Sequence, residues 1–302
     1  MISLPIPKFT GATFPKPLRL WALPAVSLLL IAVDRFFGGM DSVQANMLAA
    51  IAIVLAGIPH GTLDVEIAAA HFGQHGIIGK ANIIGSYLGC AAAMVFLWLQ
   101  IPELALVTFL IISIVHFSRD WRGGVDPFLA MMVGWALVAL PALASPDDVA
   151  MIFAALTGSD NGKVIAALLG AASVPAALGS LVFAYWAIRH NDTQSALEVL
   201  ACIVAALFLP PLVAFALFFC GLHSPRHMAD ALRATGALSP LKKTAIIFAV
   251  FALSLGLGVL MFLYQGEVAA DMGVIRAAFI LISTLTVPHF ILEHILSRKQ
   301  SA

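Results

Sequence analysis

Charge is what this 302-residue chain has least of. Lysine, arginine, aspartate and glutamate together make up 11% of it, against roughly 25% in a soluble domain. That is too little to coat a soluble surface of this size. Neither sign is in excess: 16 basic and 16 acidic residues give a net charge of zero, so the basic footprint of a nucleic-acid binder is missing. Cysteine is scarce as well. Cys90, Cys202 and Cys220 all lie inside apolar runs and read as small core residues, which excludes a disulfide framework or a thiolate metal cluster. No glycine-rich phosphate loop and no internal repeat is apparent. The ten-residue alternating segments of an outer-membrane barrel are absent too.

Hydrophobic residues fill the space, at 61% with a mean hydropathy of +1.01. Apolar runs long enough to cross a bilayer recur near 18–37, 43–58, 81–99, 102–118, 126–144, 163–188, 241–264 and 274–297. The expected fold is therefore all-α, a polytopic helical membrane protein forming a single integral membrane domain over 1–302. Lys8, Lys16 and Arg19 before the first run resemble a signal peptide. No small-residue cleavage site precedes Val33, so a retained first span is expected.

The stretch 194–234 is too long for one helix across a core of about 30 Å at about 1.5 Å per residue. Pro210-Pro211 interrupts it, and proline removes donors and disfavours helix before it. It is either one kinked span or two spans with a tight turn. With one, the basic residues divide 8 against 8 across the membrane; with two, they divide 13 against 3, the bias of the positive-inside rule. The expectation is about ten spanning or hairpin helices in a cell membrane, with both termini cytoplasmic. The segment 194–209 is the shortest and the weakest candidate for a full crossing.

Nine histidines are present. His71, His75 and His190 fall in polar connections, and His294 near the end of the last span. The other five sit in apolar surroundings: His60 in "GIPHGTLD", His116 in "ISIVHFSRD", His223 and His227 in "GLHSPRHMAD", and His289 in "TVPHF". Ionisable residues at membrane depth are costly and tend to be functional. In the ten-span reading all five lie late in even-numbered spans, so they can converge in the cytoplasmic half. His223 and His227 are four apart and share a helix face. Asp64, Asp120 and Glu293 follow His60, His116 and His289 at i+4. A metal-bound imidazole usually donates its other N–H to a carboxylate or carbonyl, which these three are spaced to accept. The plainer reading of Asp64 and Asp120 is interfacial charge at helix ends. Neutral imidazoles without thiolates suit iron, copper, zinc or nickel.

At these residues the chain resembles the Brp/Blh family of bacterial and archaeal β-carotene 15,15'-dioxygenases. The likeness is carried by "GIPHGTLD", "VHFSRD", "LPPLVAFALFFCGLHSPRHM" and "TVPHF". It implies a polytopic membrane enzyme that uses non-heme Fe(2+) and O2 to split the central double bond of β-carotene into two molecules of retinal. It also implies a link to a retinal-binding rhodopsin as consumer. Carried over by motif, the iron ligands fall on His60, His116, His223 and His227. His289 joins the catalytic set, as a fifth ligand or as a residue behind one. The first motif commonly has alanine where this chain has Thr62. Phe117, Trp121, Phe219 and Phe290 lie beside the ligands and are expected to line the path of a lipid-dissolved polyene, although packing alone accounts for any one of them.

Two other readings stand beside this one. A di-iron membrane desaturase or hydroxylase uses about eight histidines in dense clusters, whereas one HxxxH pair is present here. A histidine-lined transporter usually shows paired repeats with matching broken helices, and no matching halves are found; a retinoid-binding membrane protein belongs to the same non-enzymatic class.

Overall fold

The computed structural model describes residues 16–36, 42–74, 76–121, 125–265 and 269–298. Lys8, His75, Arg122 and Lys299 lie outside the described residues. The described chain is helical throughout, without a strand. The first half holds α1 (Lys16–Phe36), α2 (Ser42–His60), α3 (Asp64–Phe72), α4 (Ile77–Gln100), α5 (Pro102–Phe117), α6 (Pro127–Ala144) and α7 (Pro146–Thr157). The second holds α8 (Asn161–Ala171), α9 (Ser173–Arg189), α10 (Thr193–Phe208), α11 (Pro211–Phe218), α12 (Ser224–Ala234), α13 (Pro240–Leu263) and α14 (Ala270–Arg298).

Among the described residues, seven helical segments are long and apolar enough to cross a membrane: Ser42–Phe72, Ile77–Gln100, Pro102–Trp121, Pro127–Ala144, Asn161–Arg189, Pro240–Leu263 and Ala270–Leu296. α10 is shorter, with 16 residues, about 24 Å at the α-helical rise. The outer face fits a lipid solvent. On α13 only Ser254 is buried, while Phe248, Leu253, Leu260 and Leu263 are exposed.

The stretch 194–234 is broken twice. α10 ends at Phe208, and Leu209 and Pro210 are extended. Pro211 then opens α11, and the Leu212 N–H donates to Asn46 Oδ1 on α2 at 2.9 Å. That bond satisfies an orphan donor of the new helix, which a lipid-filled interior would leave unpaired. α11 passes into α12 through a π-helical turn at Phe219–His223, a local widening common at functional sites.

The helix α7 falls in a stretch the sequence pattern left as a connection. Pro146 sits at its start and Asp147 and Asp148 in its first turn, where the helix dipole favours anions. It buries Val149, Ile152, Phe153 and Leu156. Helix contacts elsewhere depend on absent side chains. A Cβ at Gly134 on α6 would collide with the Ile114 carbonyl of α5, so this glycine lets α6 lie against the end of α5.

Candidate metal centre

α2 ends at His60 because Pro59 and Gly61 follow the apolar run. Residues 61–63 form a turn in which the Thr62 N–H and hydroxyl both reach the Pro59 carbonyl. The chain then re-enters a helix at Asp64. α5 ends in the same way. His116 is in its last turn, and a 3₁₀ turn, Ser118–Trp121, carries Asp120. The π turn brings His223 to the start of α12, one turn before His227. His289 lies in the later part of α14, just after Pro288.

Four separate chain segments thus deliver five imidazoles to one place. Ring centroids lie 4.2 Å apart for His223 and His227, 4.8 Å for His116 and His223, 5.0 Å for His60 and His289, and 5.3 Å for His116 and His289. His60 is 5.4 Å from His223 and 5.8 Å from His227. All but the half-buried His60 are buried.

Three carboxylates surround this layer, and they pair across helices. Asp64 Oδ2 accepts from His289 Nδ1 at 2.8 Å, not from His60. Asp120 Oδ2 accepts from His223 Nδ1 at 2.8 Å, and its Oδ1 lies 3.6 Å from His227 Nε2. Glu293 reaches three rings: His116 Nδ1 at 3.1 Å, His227 Nδ1 at 3.0 Å and His289 Nε2 at 3.4 Å. Only the last contact is an i+4 pair. The expected i+4 pairing of His60 with Asp64 and of His116 with Asp120 does not form, because a helix ends between the members of each pair. Side chains four apart meet only on one continuous helix.

Tyr87 of α4 was not singled out in the sequence, where a tyrosine in an apolar span carries no motif. Its hydroxyl donates to Asp64 Oδ2 at 3.2 Å and lies 3.4 Å from the Leu285 carbonyl. Arg119, also outside the sequence-derived set, balances the carboxylates. It lies 3.4 Å from Glu293 and 3.0 Å from His294 Nδ1, with its guanidinium 4.9 Å over the Phe290 ring. Arg226, between His223 and His227, pairs with Glu198 of α10 at 2.8 Å and ties α12 down.

The donor set fits a metal ion. His116 Nε2 and His223 Nε2 face each other at 3.2 Å. With metal–nitrogen bonds of about 2.1 Å, neighbouring ligands sit about 3.0–3.4 Å apart. In His116 and His223 the Nδ1 side meets a carboxylate, which leaves Nε2 turned inward, the arrangement of metal-bound imidazoles; His289 has Nδ1 on Asp64 and its Nε2 3.4 Å from Glu293. His60 Nδ1 is buried without a hydrogen-bond partner among the described residues. Ligand atoms of His60, His116 and His289 lie within 4.8 Å of one another, as do those of His116, His223 and His227, and of His227, His289 and Glu293.

The four aromatics take different places. Phe117 packs edge-on to His223 at 5.0 Å, and Phe219 stacks on His223 at 5.3 Å. Phe290 meets the edge of His116 at 6.2 Å, under Arg119. Trp121 lies further back, stacked on Phe218. A partly open apolar cavity, with about 740 Å³ of free space when its open mouth is counted, adjoins this wall, lined among others by Ile53, Phe109, Phe117, Phe215 and Ile282. Exposed His71 ends α3, and exposed His190 stacks on Trp186 at 4.1 Å. Both stand apart from the centre.

The chain is 30% identical over 259 residues to a β-carotene 15,15'-dioxygenase from uncultured marine bacterium 66A03, covering 83% of this chain and 93% of that protein. No solved structure matches. The profile of the family described as beta-carotene 15,15'-dioxygenase matches residues 51–297, a range that takes in all five clustered histidines, and the chain belongs to that family.

Proposed function

We propose that this protein cleaves the 15,15' double bond of β-carotene with O2 at a histidine-bound Fe(2+), giving two molecules of all-trans-retinal. The observation that carries the reading is the five-imidazole layer, with inward nitrogens backed by carboxylates, in a chain of this family. One C=C and one O=O bond are exchanged for two C=O bonds, so the atoms balance without another reductant. His60, His116, His223 and His227 hold the iron, and His289, anchored by Asp64, completes the layer. Bound iron supplies the one-electron chemistry that lets triplet O2 react with a closed-shell alkene.

The remaining work falls to the chain itself. Asp120, Asp64 and Glu293 keep the imidazole N–H groups on the outer nitrogens and fix the ring planes. Phe117 and Phe219 cover one side of the layer and keep water away from it. The apolar cavity receives one arm of the polyene, which is brought in from the bilayer because it dissolves nowhere else. The protein sits in the cell membrane with both termini cytoplasmic, and the product serves a retinal-binding rhodopsin.

The test is production of the chain in carotene-accumulating bacteria. Bleaching with retinal as the product is expected, and purified protein should carry iron. Intact β-carotene, or longer apocarotenals from off-centre cleavage, would refute the reading.

A further inference from the structure

Buried hydroxyls on these helices follow a rule. Ser118 bonds the Val115 carbonyl at 2.7 Å, Ser180 the Ala176 carbonyl at 2.8 Å, Thr157 the Phe153 carbonyl at 3.0 Å and Thr235 the Ala231 carbonyl at 2.7 Å. Such back-bonding is how serine and threonine are satisfied within a helix. Ser113 breaks the rule. It is 3% exposed, and its hydroxyl has no hydrogen-bond partner among the described residues. Thr284 shares that state, but of the two only Ser113 lines the apolar cavity.

Its position gives the hydroxyl a meaning. Ser113 lies on α5 three residues before His116, about 4.5 Å along the helix axis. It therefore stands near the boundary between the cavity and the imidazole layer, where Phe117 also lies. A buried hydroxyl left unpaired costs about 1–3 kcal/mol, a cost a bound acceptor removes. β-Carotene is a hydrocarbon and offers no acceptor. Its cleavage, on the reading above, places an aldehyde oxygen at the end of the polyene nearest the metal.

We propose that the cavity holds one retinal after cleavage and that Ser113 donates a hydrogen bond to its aldehyde oxygen. Ser113 is then a product-binding residue that separates retinal from the hydrocarbon that enters the same volume. The inference rests on the proposed reaction for its ligand, yet binding of retinal can be measured without turnover.

The experiment uses purified full-length protein in detergent. Retinal binding is followed by quenching of tryptophan fluorescence in metal-free protein, and retinal inhibition together with the KM for β-carotene in the iron-loaded enzyme. In Ser113→Ala, retinal affinity should fall about 3- to 10-fold, the worth of one neutral hydrogen bond, and should fall more than the apparent affinity for β-carotene. Ser113→Thr, which keeps the hydroxyl, should restore most of the difference. Val138→Phe, which crowds the cavity, should weaken retinal binding about tenfold. Equal retinal affinity in parent and Ser113→Ala overturns the proposal, as does a parallel loss for retinal and β-carotene, which would mark a packing role. Retinal binding at parent affinity in Val138→Phe overturns it as well. If the parent binds retinal and Ser113→Ala weakens that binding while β-carotene is not cleaved, the proposed reaction fails and the binding site stands.

Discussion

The histidine layer and the cavity beside it share α2, α5 and α14 and are built on opposite rules. In the layer, polar groups outnumber apolar ones, and almost every imidazole is tied to a carboxylate. In the cavity, the lining is nearly all hydrocarbon, and Ser113 is the side-chain hydroxyl within it. Burying so many ionisable groups is costly in a membrane-embedded fold. The layer offsets the cost by pairing, and three carboxylates set against the imidazoles leave little uncompensated charge once a cation is present. The cavity offsets nothing, because empty apolar space merely forfeits contacts. Both features are poor choices for stability alone and make sense as places for a cation and for an apolar ligand.

Breaking the layer should have the largest effect. Alanine at His60, His116, His223 or His227 is expected to abolish retinal formation and sharply reduce iron in the purified protein, read by metal analysis on the same preparation. Loss of an outer carboxylate comes next. Asp120→Asn, which unties His223, should lower metal affinity or activity by about 10- to 100-fold. Metal titration separates this from unfolding.

The cavity is attacked next. Val138→Phe should raise the KM for β-carotene about tenfold, as expected if overfilling an apolar site costs ~1–2 kcal/mol, while iron content stays at the parent level. A variant that lost iron in step with KM would show that layer and cavity are one unit. Smaller still is Tyr87→Phe. It removes one hydrogen bond to Asp64 and leaves the ring, so metal affinity should fall about 3- to 10-fold. At the far end of the scale, His71→Ala and His190→Ala should match the parent in iron content and turnover, because both rings are exposed and distant from the layer.

Much of the candidate site is legible in the sequence. Five histidines in apolar surroundings stand out because such positions are costly, and these five gather into one layer. The pairing of the carboxylates was not legible. The i+4 spacing of His60 with Asp64 and of His116 with Asp120 is a helical relation, and the chain leaves the helix between the members of each pair. Tyr87 was invisible for a related reason: its partner lies 23 residues away across a turn and a helix.

The sequence by itself determined the apolar character of the exterior, the helical class and which histidines are candidates for a metal centre. Those depend on composition and on local periodicity, which are properties of neighbouring residues. Only the tertiary structure decided which carboxylate holds which imidazole, that α7 is a helix packed into the core, that a π turn aims His223, and that a Ser113 hydroxyl without a partner among the described residues meets an apolar cavity. These depend on helices far apart in the chain coming within hydrogen-bond distance, and no spacing along one segment encodes that approach.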